Sequence, residues 1–150
     1  MRKGLFISIM ALVLSTGVAQ ADDKEDVIAT VDAVIAAWNA GDVDAIQKHY
    51  APDLKVFGGA GNVLHVWDYA GVKELFESGG KIAISPPRHR EVRVYGNTAI
   101  YTCYLTIKFT PPDGASKTTT SRLTTVWVKG GDQWKEVHRH ASLLTPQQSE

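Results

Sequence analysis

Two histidines near the end of the chain are the first residues that could do chemistry. His138 and His140 flank Arg139 in the stretch QWKEVHRHASLL. If this stretch is a strand, both imidazoles lie on one face, where they could be metal ligands, an acid/base pair or part of a packed sheet surface. A metal site would need a third ligand, and Glu136 is the candidate on that face. The pattern favours packing, and we expect neither a metal nor another cofactor.

A second pair of candidate residues, His65 and Asp68, brackets Trp67. A histidine beside a carboxylate can transfer protons, so these two are the candidate catalytic residues. Asp68 also precedes the stretch YAGVKELFES, where it can cap a helix and leave His65 as an exposed strand residue. The residues favour this capping interpretation over catalysis.

The single cysteine, Cys103, lies within an apolar strand pattern. A catalytic thiol needs a nearby base and exposure, so this position favours a buried structural thiol. The sequence contains no P-loop, no dinucleotide-binding glycine motif and no Cys/His spacing typical of zinc sites.

The elements that must position these residues begin with helices. Apolar residues recur at helical spacing through residues 22–40, and Gly41 follows as a stop signal. Asp42 begins a short second helix that carries Tyr50, and Asp68 begins a third helix that runs to a pair of glycines. The stretch LKVF between the second and third helices predicts a short strand.

Strands fill the second half of the chain. The stretches REVRVYG, TAIYTCYLTIKF, TTTSRLTTVWVK and QWKEVHRHASLL are rich in β-branched and aromatic residues and are separated by turn residues. Helices followed by antiparallel strands predict an α+β domain whose sheet buries one face against the helices. A strongly twisted sheet around a long helix forms a cone, and the open end of the cone is a pocket.

The strand TAIYTCYLTIKF has two different faces. Cys103 lies on an apolar face, whereas threonines alternate with Ile100 and Tyr104 on the opposite face. That opposite face is not polar enough for ordinary solvent-exposed surface. We expect a homodimer or larger homo-oligomer through it, with Tyr104, His138 and His140 among the contacts.

The first residues have the three regions of an export signal. Arg2 and Lys3 precede an apolar run at residues 5–14, and an A-x-A site ends at Ala21. Cleavage after Ala21 predicts a periplasmic or secreted protein whose residues 22–150 form one domain. Loss of the two basic residues leaves 14 Lys+Arg against 16 Asp+Glu, a net charge of −2. This charge gives no sign of a nucleic-acid partner, and we expect neither such a partner nor stable membrane association after cleavage.

Two stretches of the chain resemble a known superfamily. AAWNAGDVDAIQKHYAPDLKVF and TTVWVKGGDQWKEVHRHASL are similar to the hallmark stretches of the SnoaL-like, nuclear transport factor 2-like superfamily. Within it, the chain most resembles the association domain of calcium/calmodulin-dependent kinase II and its bacterial relatives. The resemblance implies a cone-shaped fold in which N-terminal helices pack on a curved antiparallel sheet, assembled as a dimer or larger oligomer.

The resemblance does not fix a reaction, because the superfamily includes ketosteroid isomerases, polyketide cyclases and dehydratases as well as members that bind or assemble. The three catalytic positions of the isomerases here hold Val34, Gly58 and Thr124 or Thr125. The pocket arginines of the kinase association domain are replaced by Thr125, Ala141 and approximately Thr106. Neither the proton-transfer groups of the isomerases nor the carboxylate-binding arginines of the association domain are therefore present at their usual positions.

One face of the last strand carries Val137, Arg139 and Ala141. The resemblance implies that this face points toward the cavity. A guanidinium there needs Asp32 on the first helix, another acidic group or an anionic ligand as its partner. Four aromatic side chains could line the same pocket or simply form part of the core: Trp38, Tyr50, Trp67 and Trp127. The expected ligand-pocket residues are Trp38, Tyr50, Trp67, Tyr101, Thr125, Trp127 and Arg139.

Two functions remain open from the sequence. The first is an exported, noncatalytic module that binds a small, partly apolar molecule or serves as an oligomeric assembly unit. The second is a small-molecule isomerase, cyclase or dehydratase that uses His65, Asp68 or Arg139 in the cone pocket. An enzyme requires ionisable groups that converge on one closed pocket, whereas a binding module does not.

We predict that the mature protein begins at Asp22, because the leader combines a basic start, a short apolar run and a cleavage site. N-terminal sequencing of the exported protein should return Asp22 as the first residue. Retention of Met1 on protein in a membrane fraction would contradict the prediction.

Overall fold

The chain folds into helices packed against a mixed β-sheet, which confirms the predicted α+β class. The computed structural model describes residues 15–58 and 64–144. The helices are α1 (Ser15–Ala40), α2 (Val43–Lys48) and α3 (Tyr69–Glu77). The strands are β1 (Tyr50–Phe57), β2 (His65–Val66), β3 (Lys81–Ile84), β4 (Arg88–Tyr95), β5 (Thr98–Thr110), β6 (Lys117–Gly130) and β7 (Gln133–Leu143).

The strands form one sheet in the order β2-β1-β7-β6-β5-β3, and β4 also pairs with β5. All neighbouring strands are antiparallel except β1 and β7, which are parallel. The prediction of an antiparallel sheet was therefore wrong for this one pair. The two strands come from opposite ends of the domain and are not joined by a hairpin, so no turn imposes an antiparallel direction on them.

The edge of β5 opposite β6 is shared by two strands. β4 pairs with residues 98–104 of β5, and β3 pairs with residues 107–110. The sequence analysis did not predict β3, which has four residues and lies between the glycines after α3 and a Pro-Pro pair. Its side chains matter for function, because alternate residues of β3 face the interior.

Helix α1 packs its apolar stripe against the sheet. Val27, Val31, Val34 and Trp38 are all buried and recur at helical spacing. The end of α1 is also tied to β3, because Ile84 N donates to Asn39 Oδ1 at 2.6 Å and Asn39 Nδ2 donates to Ile84 O at 3.0 Å. The helix and the short strand are therefore neighbours, and both contribute side chains to the lining of one interior space.

Two predicted helix caps are confirmed. Ala45 N donates to Asp42 Oδ1 and Gly71 N donates to Asp68 Oδ1, both at 2.9 Å. The placement of Tyr50 on the second helix was wrong, since α2 ends at Lys48 and Tyr50 begins β1. Tyr50 pairs instead with β7, the last strand in the chain, and this pairing places its side chain in the core.

The predicted leader is described only in part. Helix α1 begins at Ser15 and runs through the predicted cleavage point after Ala21, whereas residues 1–14 lie outside the described residues. Of the helices that the structure describes, none has the length and apolar composition required to cross a bilayer. Cleavage after Ala21 and the domain boundary at residue 22 stay predictions.

Candidate functional site

A cavity of about 450 Å³ lies between α1 and the concave face of the sheet. Its walls are mainly apolar, both aliphatic and aromatic, and come from α1, β1, β3, β5, β6 and β7. The aliphatic lining residues include Val31, Val34, Ile82, Ile84, Leu105 and Leu123. Cys103 also lines the cavity, and burial raises the pKa of its thiol above the ordinary value. The prediction that this cysteine is buried is confirmed.

A β-bulge in β7 determines which side chains of that strand reach the cavity. Val126 of β6 pairs with His138, but the next residue, Trp127, pairs with Glu136, so Val137 has no partner of its own. The bulge changes the alternation of the strand and brings both Glu136 and Arg139 to the inner face. The prediction that Glu136 lies on the same face as the histidines was therefore wrong.

The cavity ends at a buried ion pair between Arg139 and Glu136. Arg139 donates from Nε to Glu136 Oε1 and from Nη2 to Glu136 Oε2, each at 2.7 Å. The Glu136 side chain is 1% exposed, whereas the Arg139 side chain is 20% exposed and lines the cavity. The expected partner Asp32 instead binds Arg90, at 2.8 Å, so the second expected alternative, another acidic group, is confirmed.

Tyr50 extends the ion pair toward α1. Its hydroxyl oxygen accepts hydrogen bonds from Arg139 Nη2 at 2.6 Å and from Trp38 Nε1 at 3.0 Å. Burial raises the pKa of Tyr50, although the charge of Arg139 opposes this effect. Burial alone would lower the pKa of Arg139, but Glu136 and Tyr50 outweigh burial and hold that pKa above its ordinary value. The guanidinium is therefore charged and the tyrosine neutral.

Tyr101 and Thr125 lie beside this network on β5 and β6. Both are almost fully buried and both line the cavity. Trp127 Nε1 donates to Thr125 Oγ1 at 2.7 Å, whereas the Tyr101 hydroxyl has no hydrogen-bond partner among the described residues. Burial and, less strongly, the neighbouring Cys103 thiol raise the pKa of Tyr101, so its hydroxyl stays protonated and can donate.

The structure brings most of the expected pocket residues together. Six of them line the cavity: Trp38, Trp67, Tyr101, Thr125, Trp127 and Arg139. The seventh, Tyr50, does not line it but lies behind the cavity wall, hydrogen-bonded to Arg139. Four of the five expected aromatics, Trp38, Tyr50, Tyr101 and Trp127, are buried in the core and Trp67 packs against it, and all of them except Tyr50 also form cavity wall. Whether this cavity holds a ligand stays a prediction.

The candidate catalytic residues His65 and Asp68 have separate surroundings. His65, on the short strand β2, lines the cavity. Asp68 is exposed and caps α3 through Gly71 N, and it does not line the cavity. Between them, Trp67 donates from Nε1 to Gln47 at 2.8 Å and packs edge-on against Trp38. The capping interpretation of Asp68 is therefore confirmed.

His138 and His140 lie on the face of the sheet that points away from α1, which we call the outer face. Phe57 of β1 packs near both imidazoles, with ring centroids 5.9 and 5.5 Å apart. No group of three His, Cys, Asp or Glu side chains suited to a metal ion occurs within the described parts of the chain. The histidines belong to a packed sheet surface and not to the cavity.

Sequence reasoning missed two sets of cavity residues. Glu136 was missed because strict alternation assigns it to the outer face, and nothing in the residue pattern marks a bulge at Val137. Ile82 and Ile84 were missed because β3 was not predicted, although the alternation in the stretch KIAI is typical of a short strand with one buried face.

Comparisons with known proteins agree with this geometry. Residues 27–146 match the family model of the SnoaL-like domain. An NTF2-like protein from Cytophaga hutchinsonii has a similar structure, with a TM-score of 0.67 and 18% identity over 81% of this chain and 98% of that chain. The predicted cone-shaped, nuclear transport factor 2-like fold is therefore confirmed.

Two further similar structures are kinase hub domains. The CaMKII hub of S. rosetta gives a TM-score of 0.62 at 28% identity, over 80% of this chain and 95% of that chain. The CaMKII hub homology domain of Chlamydomonas reinhardtii gives a TM-score of 0.65 at 21% identity, over 82% of this chain and 99% of that chain. The predicted likeness to the kinase association domain is confirmed as a likeness of structure.

Replacing Arg139 tests the buried ion pair. Arg139→Met should lower the free energy of unfolding by about 3–5 kcal/mol, because it leaves the Glu136 carboxylate buried without a cation. The double variant Arg139→Met/Glu136→Leu should recover most of this loss, since neither charge remains buried. Chemical denaturation of both variants measures the difference.

The control is Arg93→Met, which removes an exposed arginine whose partner Glu91 is also exposed. This change should alter the free energy of unfolding by less than about 1 kcal/mol. If Arg139→Met proved as stable as the control, the ion pair would not have the structural role assigned to it.

Proposed function

This chain belongs to the SnoaL-like domain family, and we propose that within this family it is a binding module for a small, largely apolar molecule. In this proposal the protein is exported, assembles with copies of itself and holds the molecule in the cavity between α1 and the sheet. The observation that carries the proposal is the cavity itself, which is preformed, apolar along its walls and closed at one end by Arg139 and Glu136.

The size and lining of the cavity suit a small ligand. A volume of about 450 Å³ lies within the range of about 300–1,000 Å³ typical of small-molecule sites. Aliphatic walls favour an apolar molecule, because each Å² of apolar ligand surface removed from water contributes about 25 cal/mol. The few polar groups at the end of the cavity supply orientation and specificity rather than most of the binding energy.

The groups at the end of the cavity favour binding over acid/base catalysis. Both carboxylate oxygens of Glu136 are held by Arg139, so removing a proton with Glu136 would break the bidentate ion pair. Asp68 is engaged in the α3 cap, away from the cavity. Arg139 is charged and bound to Glu136, so of the three residues named for an isomerase, cyclase or dehydratase only His65 remains at the cavity wall as a candidate acid or base. Loss of activity on a candidate substrate in His65→Gln is the result that would favour such an enzyme.

The outer face supports the proposal of a homo-oligomer. Tyr104 is 37% exposed on this face and packs against His89, with ring centroids 5.7 Å apart. Ile100, Val126 and Val128 are also only partly buried there. Partly exposed apolar and aromatic groups on one sheet face are typical of a surface that another subunit covers. The similar hub domains are in keeping with such an assembly.

Filling the cavity should weaken ligand binding. The dye Nile red, whose emission rises in apolar surroundings, should bind the mature protein, and Ala141→Phe should weaken this binding at least about tenfold, because the added ring occupies the cavity. Fluorescence titration measures the effect, and native mass spectrometry of the purified protein should show a co-purified small molecule. The matched control, Ala83→Phe, places the same ring on an exposed position of β3 and should leave the titration unchanged. Equal binding by both variants would contradict the proposal.

Light scattering at micromolar concentration should give a mass of two or more subunits. Tyr104→Glu should lower that mass to the monomer, because it places a charge in the proposed contact. Leu64→Glu changes another exposed apolar residue, which is 46% exposed and is not among the proposed contacts. This variant should leave the mass unchanged. A monomeric wild-type protein would contradict the oligomer.

A further inference from the structure

Three cavity-lining residues form a row across the strands that meet at the buried end of the cavity. Tyr101 of β5 pairs with Thr125 of β6, and Thr125 pairs with Arg139 of β7. Neighbouring strands lie about 4.8 Å apart, so these three side chains follow one another on the inner face. All three line the cavity. We call Tyr101, Thr125 and Arg139 the donor row.

The donor row has hydrogen-bond donors that bind no acceptor among the described residues. Arg139 uses Nε and both hydrogens of Nη2 for Glu136 and Tyr50, so Nη1 has two N–H groups that bind no described residue. The Tyr101 hydroxyl is buried without a partner in the described part of the chain. Thr125 accepts from Trp127 and retains its own O–H. Each member of the row can therefore donate to a ligand.

The same end of the cavity offers little to a ligand that must donate or that carries charge. Both oxygens of Glu136 already accept from Arg139, and the Tyr50 oxygen accepts from Arg139 and Trp38. The charges of Glu136 and Arg139 compensate each other at bidentate distance. The donor row together with Glu136 therefore carries no net charge, although the members of the row can donate hydrogen bonds.

We propose that the donor row recognises a neutral carbonyl oxygen of a largely apolar ligand, such as a ketone or an ester, and that Glu136 makes the site reject carboxylates. This inference rests on the proposed function, because it assigns the ligand class of the same cavity. A carbonyl oxygen accepts hydrogen bonds and carries no net charge, so it satisfies the unpartnered donors without adding an uncompensated charge. A carboxylate would place a second negative charge beside Glu136, with a single guanidinium to balance both.

Three naphthalenes of nearly the same shape separate these ligand classes. Methyl naphthyl ketone, isopropenylnaphthalene and naphthoate, all substituted at the same ring carbon, differ mainly in offering a neutral acceptor, no acceptor or an anion. Displacement of Nile red from the wild-type protein should be at least about fivefold tighter for the ketone than for the hydrocarbon, as expected for one or two neutral hydrogen bonds, and weakest for naphthoate. Equal displacement by ketone and hydrocarbon, or tighter displacement by naphthoate, would overturn the inference.

Tyr101→Phe removes a hydroxyl that has no partner within the described structure, so the variant should fold with unchanged stability. Its affinity for the ketone should fall about fivefold, whereas its affinity for the hydrocarbon should stay the same. Tyr104→Phe is the matched control on the outer face and should change neither affinity. A ketone affinity unchanged in Tyr101→Phe would remove Tyr101 from the donor row.

Glu136→Gln tests the selection against anions. The amide keeps the shape of Glu136 but leaves the charge of Arg139 uncompensated, so naphthoate should bind at least about tenfold more tightly than to wild type and should raise the melting temperature of the variant. Glu91→Gln, an exposed glutamate on β4, is the control and should gain no affinity for naphthoate. A folded Glu136→Gln variant that still rejects naphthoate would overturn the role of Glu136. If this variant did not fold, the wild-type comparison and Tyr101→Phe would decide the carbonyl assignment.

The two proposals fail in different ways. If Nile red did not bind the wild-type cavity, the proposed binding function would fail. If Nile red bound and the three naphthalenes displaced it equally, the binding function would stand and only the carbonyl assignment would fail.

Discussion

The ion pair between Arg139 and Glu136 is the constraint to which the surrounding structure conforms. A carboxylate that is 1% exposed cannot remain charged in an apolar core unless a cation and further hydrogen bonds accompany it. The bulge at Val137 places both groups on one face of β7, and Tyr50 joins the pair to Trp38 on α1. One polar contact therefore links the first helix, the first strand and the last strand. The rest of the interior could then remain apolar and leave room for a cavity.

Much of the fold was predictable because local signals agreed with the tertiary structure. The N-caps Asp42 and Asp68, the long helix and the four long strands each have strong periodicity or a specific stop residue. The elements that were missed had weaker local signals or depended on pairing with distant strands. β3 is only four residues long, and Tyr50 became a strand residue through pairing with β7, which lies far away in the sequence.

The candidate site was predictable only up to the bulge. Period-two alternation correctly placed Arg139 and Ala141 on the face opposite the two histidines, because both follow Val137, and the family resemblance turned that face toward the interior. It failed for Glu136, which precedes Val137, since one extra residue exchanges the two faces of the strand. A partner for the arginine was required by electrostatics alone, but Asp32 was equally suitable on that ground. Only the three-dimensional positions show that Asp32 binds Arg90 instead.

The parallel pairing of β1 with β7 has a consequence for the order of folding. The hydrogen bond between Tyr50 and Arg139 closes a loop of 89 residues, so it forms only after the intervening helices and hairpins have brought the two strands together. Contacts of such high sequence separation raise contact order and slow the folding of a small domain. Strands β4 to β7 are joined by hairpins and can pair early, so the side chains of Tyr101, Thr125, Arg139 and Glu136 come together before β1 docks against β7. We therefore expect the late docking of β1 to complete the native topology and, through Tyr50, to join the polar end of the cavity to the first helix.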